Sequence, residues 1–510
     1  MRICPLPLVI FPSIINAIGR GVMRLTMAVL RDDDQQRALL QCAEAATHEC
    51  GANGTLWIDL FHRALLPENN TDLAATLLNM RFAQQVVWEQ LHQGLWYQVN
   101  AAWRTAYHCT NIAVAAALYE TSTHVRRAQM ALYELDMALI MGGPLTATSL
   151  NVDQMIASLI NDIRDAPQAV GARPTKRRRI TSSTSKSTSC CCHVNVTTLP
   201  SATMTALPVF AMEIARGDLL VSKVARLVQP PSMSTFKRDI FDCRCPHIIE
   251  GVVNQWPAYA KWDIDYLLHV AGPRTVPIEI GRNYMSKEWT QKLMTLDKFI
   301  KTYMHAEYPV HEDEAIPTYD GDADTRCGNL PRNTTKDTTY QHQHEHQHHY
   351  GSSTQPQIAY LAQHELFDQI PELSRDIVEP DYCIFSDHSN GLMPQVQRNS
   401  WFGPRGTVSP LHYDRYHNLF CQVFGSKTIL LIDPAHSACL YPNDGIQCNT
   451  SQVDFENENW MERWPKTKHT PCQVVRVHHG EMLYIPPGWW HFCVAEETSF
   501  SVSYWWSASS

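Results

Sequence analysis

Charge is scarce in this chain. Asp, Glu, Lys and Arg make up 18% of 510 residues, and the net charge is -9. That balance speaks against nucleic-acid binding through bulk positive charge. No run is apolar for long enough to cross a bilayer as a helix, so no membrane contact is expected. The 16 cysteines follow no spaced framework, which speaks against a disulfide-stapled secreted scaffold and for reduced thiols. Cys243 and Cys245 form a C-R-C with no second pair, and Cys190, Cys191 and Cys192 are too close together to chelate one metal well. H-E-x-x-H is missing, and no Ser–His or Cys–His pattern marks a protease.

Apolar residues are plentiful at 44%, and the length allows two or three domains. Residues 1–31 read as an N-terminal extension. Its basic start and apolar run have the outline of a signal peptide, but Pro5, Pro7 and Pro12 interrupt them, and Met23 and Met27 offer alternative starts. Residues 32–165 carry helical periodicity. One helix is expected to stop at Gly51, a second to start at an N-cap Thr71, and another to run up to Gly142-Gly143-Pro144. Five or six helices result, with their Trp and Tyr residues in a core or on a repeat surface that binds a partner. Residues 166–207 are rich in Ser, Thr and basic residues, which makes a flexible linker. Its run Lys176, Arg177, Arg178, Arg179 fits nuclear import.

Residues 208–510 turn to strands. P-H-I-I-E reads as a strand followed by a turn at Trp256-Pro257, and T-V-P-I-E-I-G as another strand. Residues 306–357 interrupt this pattern with the low-complexity tract Q-H-Q-H-E-H-Q-H-H-Y, read as a surface insertion separate from any catalytic metal. From Ile358 onward short strands dominate. N-L-F-C-Q-V-F-G-S-K-T-I-L-L-I-D-P reads as a hairpin turning at G-S-K, and G-E-M-L-Y-I-P-P-G-W-W-H-F-C-V-A as a second strand pair. The fold class is therefore α+β and multidomain, an all-α N-terminal domain followed by a jelly-roll barrel of two sheets.

The chemistry concentrates in T-V-S-P-L-H-Y-D-R-Y-H-N-L-F-C-Q-V-F-G-S-K, residues 407–427. His412 and Asp414 are two apart, so an extended segment points both to one face. His491 follows a P-P-G turn, and a barrel brings it back beside them. Two His and one carboxylate form the facial triad that holds Fe(II) and leaves positions open for cosubstrate and O2. Lys427, one strand later, can pair with the far carboxylate of 2-oxoglutarate. Asn418, four residues past Asp414, can share its face.

Together with Y-L-A-Q-H-E-L-F-D-Q-I-P-E-L, W-F-G-P-R-G-T-V-S-P-L-H-Y-D, N-T-S-Q-V-D and S-F-S-V-S-Y-W-W-S, the triad region resembles the JmjC-domain 2-oxoglutarate oxygenases. The nearest likeness is the subfamily described both as protein arginyl hydroxylases and as histone lysine demethylases. The resemblance covers about residues 205–510 and, more loosely, the helical part. It implies a double-stranded β-helix (cupin) JmjC domain. It implies that Tyr360, Ser409 and Asn418 join Lys427 around 2-oxoglutarate. It also implies that Glu279 meets a substrate cation framed by Tyr284, Gln363 and Trp401; pattern alone would leave Glu279 in solvent on an edge strand. Trp505 and Trp506 flank the site, and Trp506 reads as barrel core. The expected partner is an arginine-containing nuclear protein or a histone tail, in the nucleus and also the cytoplasm. Hydroxyl on an arginine carbon is stable, whereas hydroxyl on an N-methyl group collapses to formaldehyde, so the triad alone does not separate hydroxylase from demethylase. The rival reading is a catalytically silent cupin serving as a chromatin-associated scaffold.

Overall fold

A computed structural model describes residues 33–65, 73–92, 99–120, 125–143, 152–165, 221–304 except 282 and 287, 358–386 and 396–507. The N-terminal extension, Thr71, the basic run and the His-rich tract lie outside the described residues.

Among the described residues the first part is five helices, α1 (Asp33–Leu65), α2 (Leu73–Leu91), α3 (Ala101–Glu120), α4 (Val125–Gly142) and α5 (Val152–Asp165). They share one core in which Trp57, Phe61, Met80, Val87, Ile112 and Leu135 are fully buried. α1 does not stop at Gly51 as its sequence suggests. Trp57 and Phe61, one and two turns beyond Gly54, are buried to 0% exposure. Their burial, about 2–3 kcal/mol each, outweighs the roughly 1 kcal/mol that each mid-helix glycine costs. Asn100 caps α3 by accepting from the Ala102 amide at 2.9 Å, as an N-cap side chain should. α4 ends where expected, at Gly143 with φ +73°, a left-handed conformation that glycine adopts without a Cβ clash.

The second part contains strands β1 (Val221–Lys223), β2 (Ala225–Leu227), β3 (His247–Ile249), β4 (Thr275–Ile280), β5 (Thr290–Thr295), β6 (Ala359–His364), β7 (Gln397–Gly403), β8 (Val408–Tyr413), β9 (His417–Phe424), β10 (Lys427–Ile432), β11 (Cys472–Val477), β12 (Met482–Ile485), β13 (Trp490–Ala495) and β14 (Ser499–Trp506). They form a five-stranded sheet, β1-β11-β10-β13-β8, and a nine-stranded sheet, β2-β3-β12-β9-β14-β7-β6-β4-β5. Apart from the parallel pairs β1–β11 and β2–β3, the ladders are antiparallel. Trp256-Pro257 starts a short helix, Pro257–Lys261, instead of a turn, since a proline is well tolerated at the first helical position.

The two expected strand pairs are not pairs. β9 bonds to β12 and β14, while β10 bonds to β11 and β13. The G-S-K segment carries the chain from one sheet to the other, and P-P-G does the same between β12 and β13. Both strands of each connection are buried on both faces, so an apolar run looks alike in a hairpin and in a crossover between sheets. Gly425 makes the first crossover tight: its φ is +69°, and a Cβ there would lie 2.3 Å from the Thr498 carbonyl oxygen. These crossovers set β9 and β12 of one sheet facing β8, β10 and β13 of the other, with a cavity between them.

Candidate active site

β8 and β13 set the geometry of the triad. His412 and His491 are direct cross-strand partners, and their ring centroids are 4.2 Å apart. A bulge follows between His491 and Cys493. Asp414 lies just past β8, and its carbonyl accepts from the Gly488 amide at 2.8 Å. The P-P-G turn is thereby pinned to the ligand segment. N-T-S-Q-V-D lines the free edge of β8: Ser451 donates to the Leu411 carbonyl, and Tyr413 to the Asn449 carbonyl.

One ligand atom from each of His412, Asp414 and His491 lies within 4.8 Å of the others. His412 Nδ1 sits 2.7 Å from the Pro410 carbonyl oxygen and His491 Nδ1 3.0 Å from that of Trp489. A carbonyl only accepts, so each Nδ1 carries the proton and each Nε2 presents a lone pair. Burial first, then the neighbouring His412, pushes His491 down to about 4. Its Nε2 is 3.6 Å from Asp414 Oδ2, and with a neutral imidazole this approach is no ion pair. Asp414 Oδ2 is buried without a hydrogen-bond partner. Two neutral imidazoles and an unsatisfied carboxylate oxygen aimed at one point fit a divalent iron, whose charge would offset that buried oxygen.

The cavity is lined by Tyr360, Trp401, Ser409, Asn418, Lys427 and Trp505 as well as the triad. Lys427 stands on β10 with 1% exposure. Its ammonium donates to the Tyr360 hydroxyl at 2.9 Å and lies 5.3 and 5.5 Å from the Tyr360 and Phe420 ring centres. Burial lowers its pKa to about 8. Ser409 stands beside the Tyr360 hydroxyl, and Asn418 Oδ1 is buried without a partner. A buried cation with hydroxyls beside it suits a carboxylate in the depth of the pocket.

Trp401 donates from its indole to Ser503 at 3.0 Å and lies 6.2 and 6.3 Å from Tyr360 and Trp505. Glu279 lies next to the main cavity, in a smaller one it shares with Asn283 and Tyr360. Its strand is not an edge: β4 lies between β5 and β6. Glu279 accepts from the Trp289 indole at 3.1 Å, and burial raises its pKa. Tyr284 packs edge-on to His412 at 6.5 Å and lies beside Thr450. Gln363 is exposed, at a break in the β6–β7 ladder with φ +48°, and lines neither cavity.

Phe420, Ile429, Ile485, Cys493 and Ser503 line the cavity as well, beyond the residues that the motifs mark. Alternation in β14 carried a signal for Ser503. Trp505 shares the cavity face with it, while Phe500, Val502, Tyr504 and Trp506 enter the opposite core. Trp506 is thus barrel core, stacked 5.4 Å from His417.

The family model for a cupin-like domain matches residues 233–510, and one for KDM8-like, N-terminal ARM repeats matches residues 69–171. The chain belongs to the JmjC oxygenases. It is 34% identical to Lysine-specific demethylase JMJ30 of Arabidopsis thaliana, over 83% of this chain and 85% of the relative. It is 32% identical to Lysine-specific demethylase 8 of Danio rerio, over 82% and 85%. Over 54% of the chain and 58% of the relative it is 39% identical to Jumonji C domain-containing protein 5 of Drosophila melanogaster. This JmjC chain is a 2-oxoglutarate-dependent dioxygenase that uses Fe(II) and O2.

Proposed function

We propose that this JmjC protein oxidises a cationic side chain of a protein substrate, with His412, Asp414 and His491 holding Fe(II) through the two Nε2 atoms and a carboxylate oxygen. When bound, iron and 2-oxoglutarate supply the oxidation: 2-oxoglutarate, O2 and a C–H bond give succinate, carbon dioxide and C–OH. Lys427, Tyr360, Ser409 and Asn418 orient the cosubstrate. The apolar walls Phe420, Ile429 and Ile485 keep water from the reacting centre. The partly buried carboxylate of Glu279, beside Tyr360, carries the substrate reading. A cation entering past Tyr284 and Trp401 would satisfy that carboxylate while presenting its carbon to the triad. Gln363 is the outermost member of this frame.

The relatives named lysine-specific demethylases support a first reading, methyl-lysine, taken here on a histone tail, with loss of formaldehyde after oxidation of the N-methyl carbon. Glu279 favours a second reading, arginine hydroxylation, because a guanidinium can make two parallel hydrogen bonds to one carboxylate and a methylated ammonium cannot. Mass spectrometry of histone and other nuclear peptides after incubation decides. Loss of a methyl group from lysine supports the first reading, and gain of one oxygen on arginine the second. No succinate formation with Fe(II) and 2-oxoglutarate, with or without peptide, overturns both and leaves a binding scaffold. Action in the nucleus rests on the basic run Lys176–Arg179 and on the chromatin substrate that a histone tail implies; a second, cytoplasmic pool would serve non-histone targets. The helical repeats offer a surface for a further protein partner.

A further inference from the structure

The strand pair that carries Glu279 and Tyr360 is incomplete. β4 and β6 pair only at Glu279–Tyr360 and Ile280–Ala359. Counting back four from Glu279 and on four from Tyr360, the same register would set Thr275 opposite His364. No ladder forms there. Between those positions β6 breaks register with β7, and Gln363 takes its φ of +48°.

A residue of the helical part fills the gap. Asp136 of α4 is 0% exposed. Its carboxylate accepts from the Thr275 amide at 2.7 Å, from Arg274 Nε at 2.8 Å and from Gln369 Nε2 at 2.9 Å. Gln369 Nε2 also donates to the Thr275 carbonyl at 2.7 Å, and its Oε1 lies 2.7 Å from His364 Nε2. Arg274 reaches the Gln369 carbonyl at 2.8 Å. Both backbone groups of Thr275 that a neighbouring strand would have bonded are therefore satisfied, one by the helical part and one by Gln369. Asp136 and Arg274 are both fully buried. Such a pair is poor value for stability alone, since apolar residues of similar volume often do as well. What it adds is a fixed geometry.

We propose that Asp136 is a positioning residue of the active site. It closes the gap between β4 and β6, so that the helical part sets where Glu279 and Tyr360 stand. Tyr360 in turn receives the Lys427 hydrogen bond, which links the gap to the cosubstrate pocket. The functional consequence rests on the roles given above to Glu279 and Tyr360.

The test uses the full chain with Asp136→Leu and Arg274→Met together, which removes the pair without stranding a buried charge, beside Asp136→Ala alone. Hydrogen exchange is followed in segments 275–280 and 359–364, with 417–424 and 482–485 as barrel controls. The expected result for the double variant is exchange roughly tenfold faster in the first two segments and unchanged in the controls. The KM for 2-oxoglutarate should rise and the yield of oxidised peptide per succinate should fall, each by a factor of roughly 2–30, with kcat for succinate retained. Unchanged exchange at 359–364, unchanged KM and yield in the folded variant, or a uniform rise that includes the controls would each overturn the proposal. Glu279→Gln run alongside keeps the two ideas apart. If it leaves peptide yield intact, the role given to Glu279 fails, while exchange still decides the role of Asp136.

Discussion

Replacing Lys427 by Met should make the empty protein more stable and the enzyme useless. Burial holds the Lys427 ammonium at about 8, down from 10.5. The folded chain therefore spends about 3 kcal/mol at neutral pH to keep this charge in the pocket before any carboxylate arrives. The sign follows from the direction of the shift. Below about pH 8 both folded and unfolded chains hold the proton, and the cost is complete. As pH rises toward 10.5 the folded chain has released the proton and the unfolded chain has not, so the cost fades. Lys427→Met should thus gain up to about 3 kcal/mol over the wild type at pH 7, less whatever the hydrogen bond to Tyr360 contributes, and the gap should close by about pH 10. Urea denaturation of both proteins at the two pH values measures this. With an inert divalent metal, 2-oxoglutarate at a hundred times its Kd should add about 2.7 kcal/mol to the wild type. It should add nothing to the variant, because losing one partner of a buried ion pair costs roughly 3–5 kcal/mol of binding. A variant that is less stable by the same amount at both pH values, or that 2-oxoglutarate stabilises as it does the wild type, would refute this reasoning.

His412→Ala or Asp414→Ala should abolish succinate formation while circular dichroism stays native; turnover at the wild-type rate in either would remove that residue from the metal site. Glu279→Gln should cut peptide oxidation roughly tenfold or more, the scale of a lost charge-assisted hydrogen bond, and spare peptide-independent succinate formation; equal loss of both would place Glu279 in the fold. Gly425→Ala forces a Cβ to within 2.3 Å of the Thr498 carbonyl at φ +69° and should destabilise the barrel by about 3 kcal/mol or more, which chemical denaturation reads directly. Alanine at Lys176, Arg177, Arg178 and Arg179 should move a fluorescent fusion out of the nucleus; undiminished nuclear signal would leave that run as a solvated linker.

The triad was legible because its logic is local. His412 and Asp414 share a face by the period of a strand, and a jelly roll brings His491 back. The topology around it was less so. A strand buried on both faces reads as an unbroken apolar run, so β9–β10 looks like a hairpin, and the pairing of β9 with β12 and β14 and of β10 with β11 and β13 reveals the crossover. α1 ran through Gly51 because the burial of Trp57 and Phe61 is a tertiary fact. Asp136 did leave a trace: it sits four residues after Leu132 and three before Leu139, on the apolar face of α4, where a lone carboxylate needs a partner. Its partner, Arg274, lies 138 residues away, beyond the reach of any local pattern. Gln363 rests on resemblance alone, and the break in β6 beside which it is exposed has no signature in Y-L-A-Q-H.

The most direct test is turnover with Fe(II) and 2-oxoglutarate under ¹⁸O2, with a histone or nuclear peptide present, read by mass spectrometry of the succinate. The triad and Lys427 predict one ¹⁸O atom in each succinate, formation that stops without Fe(II), and none in Asp414→Ala. Unlabelled succinate, or labelled succinate that persists in Asp414→Ala, would contradict the assignment of this site.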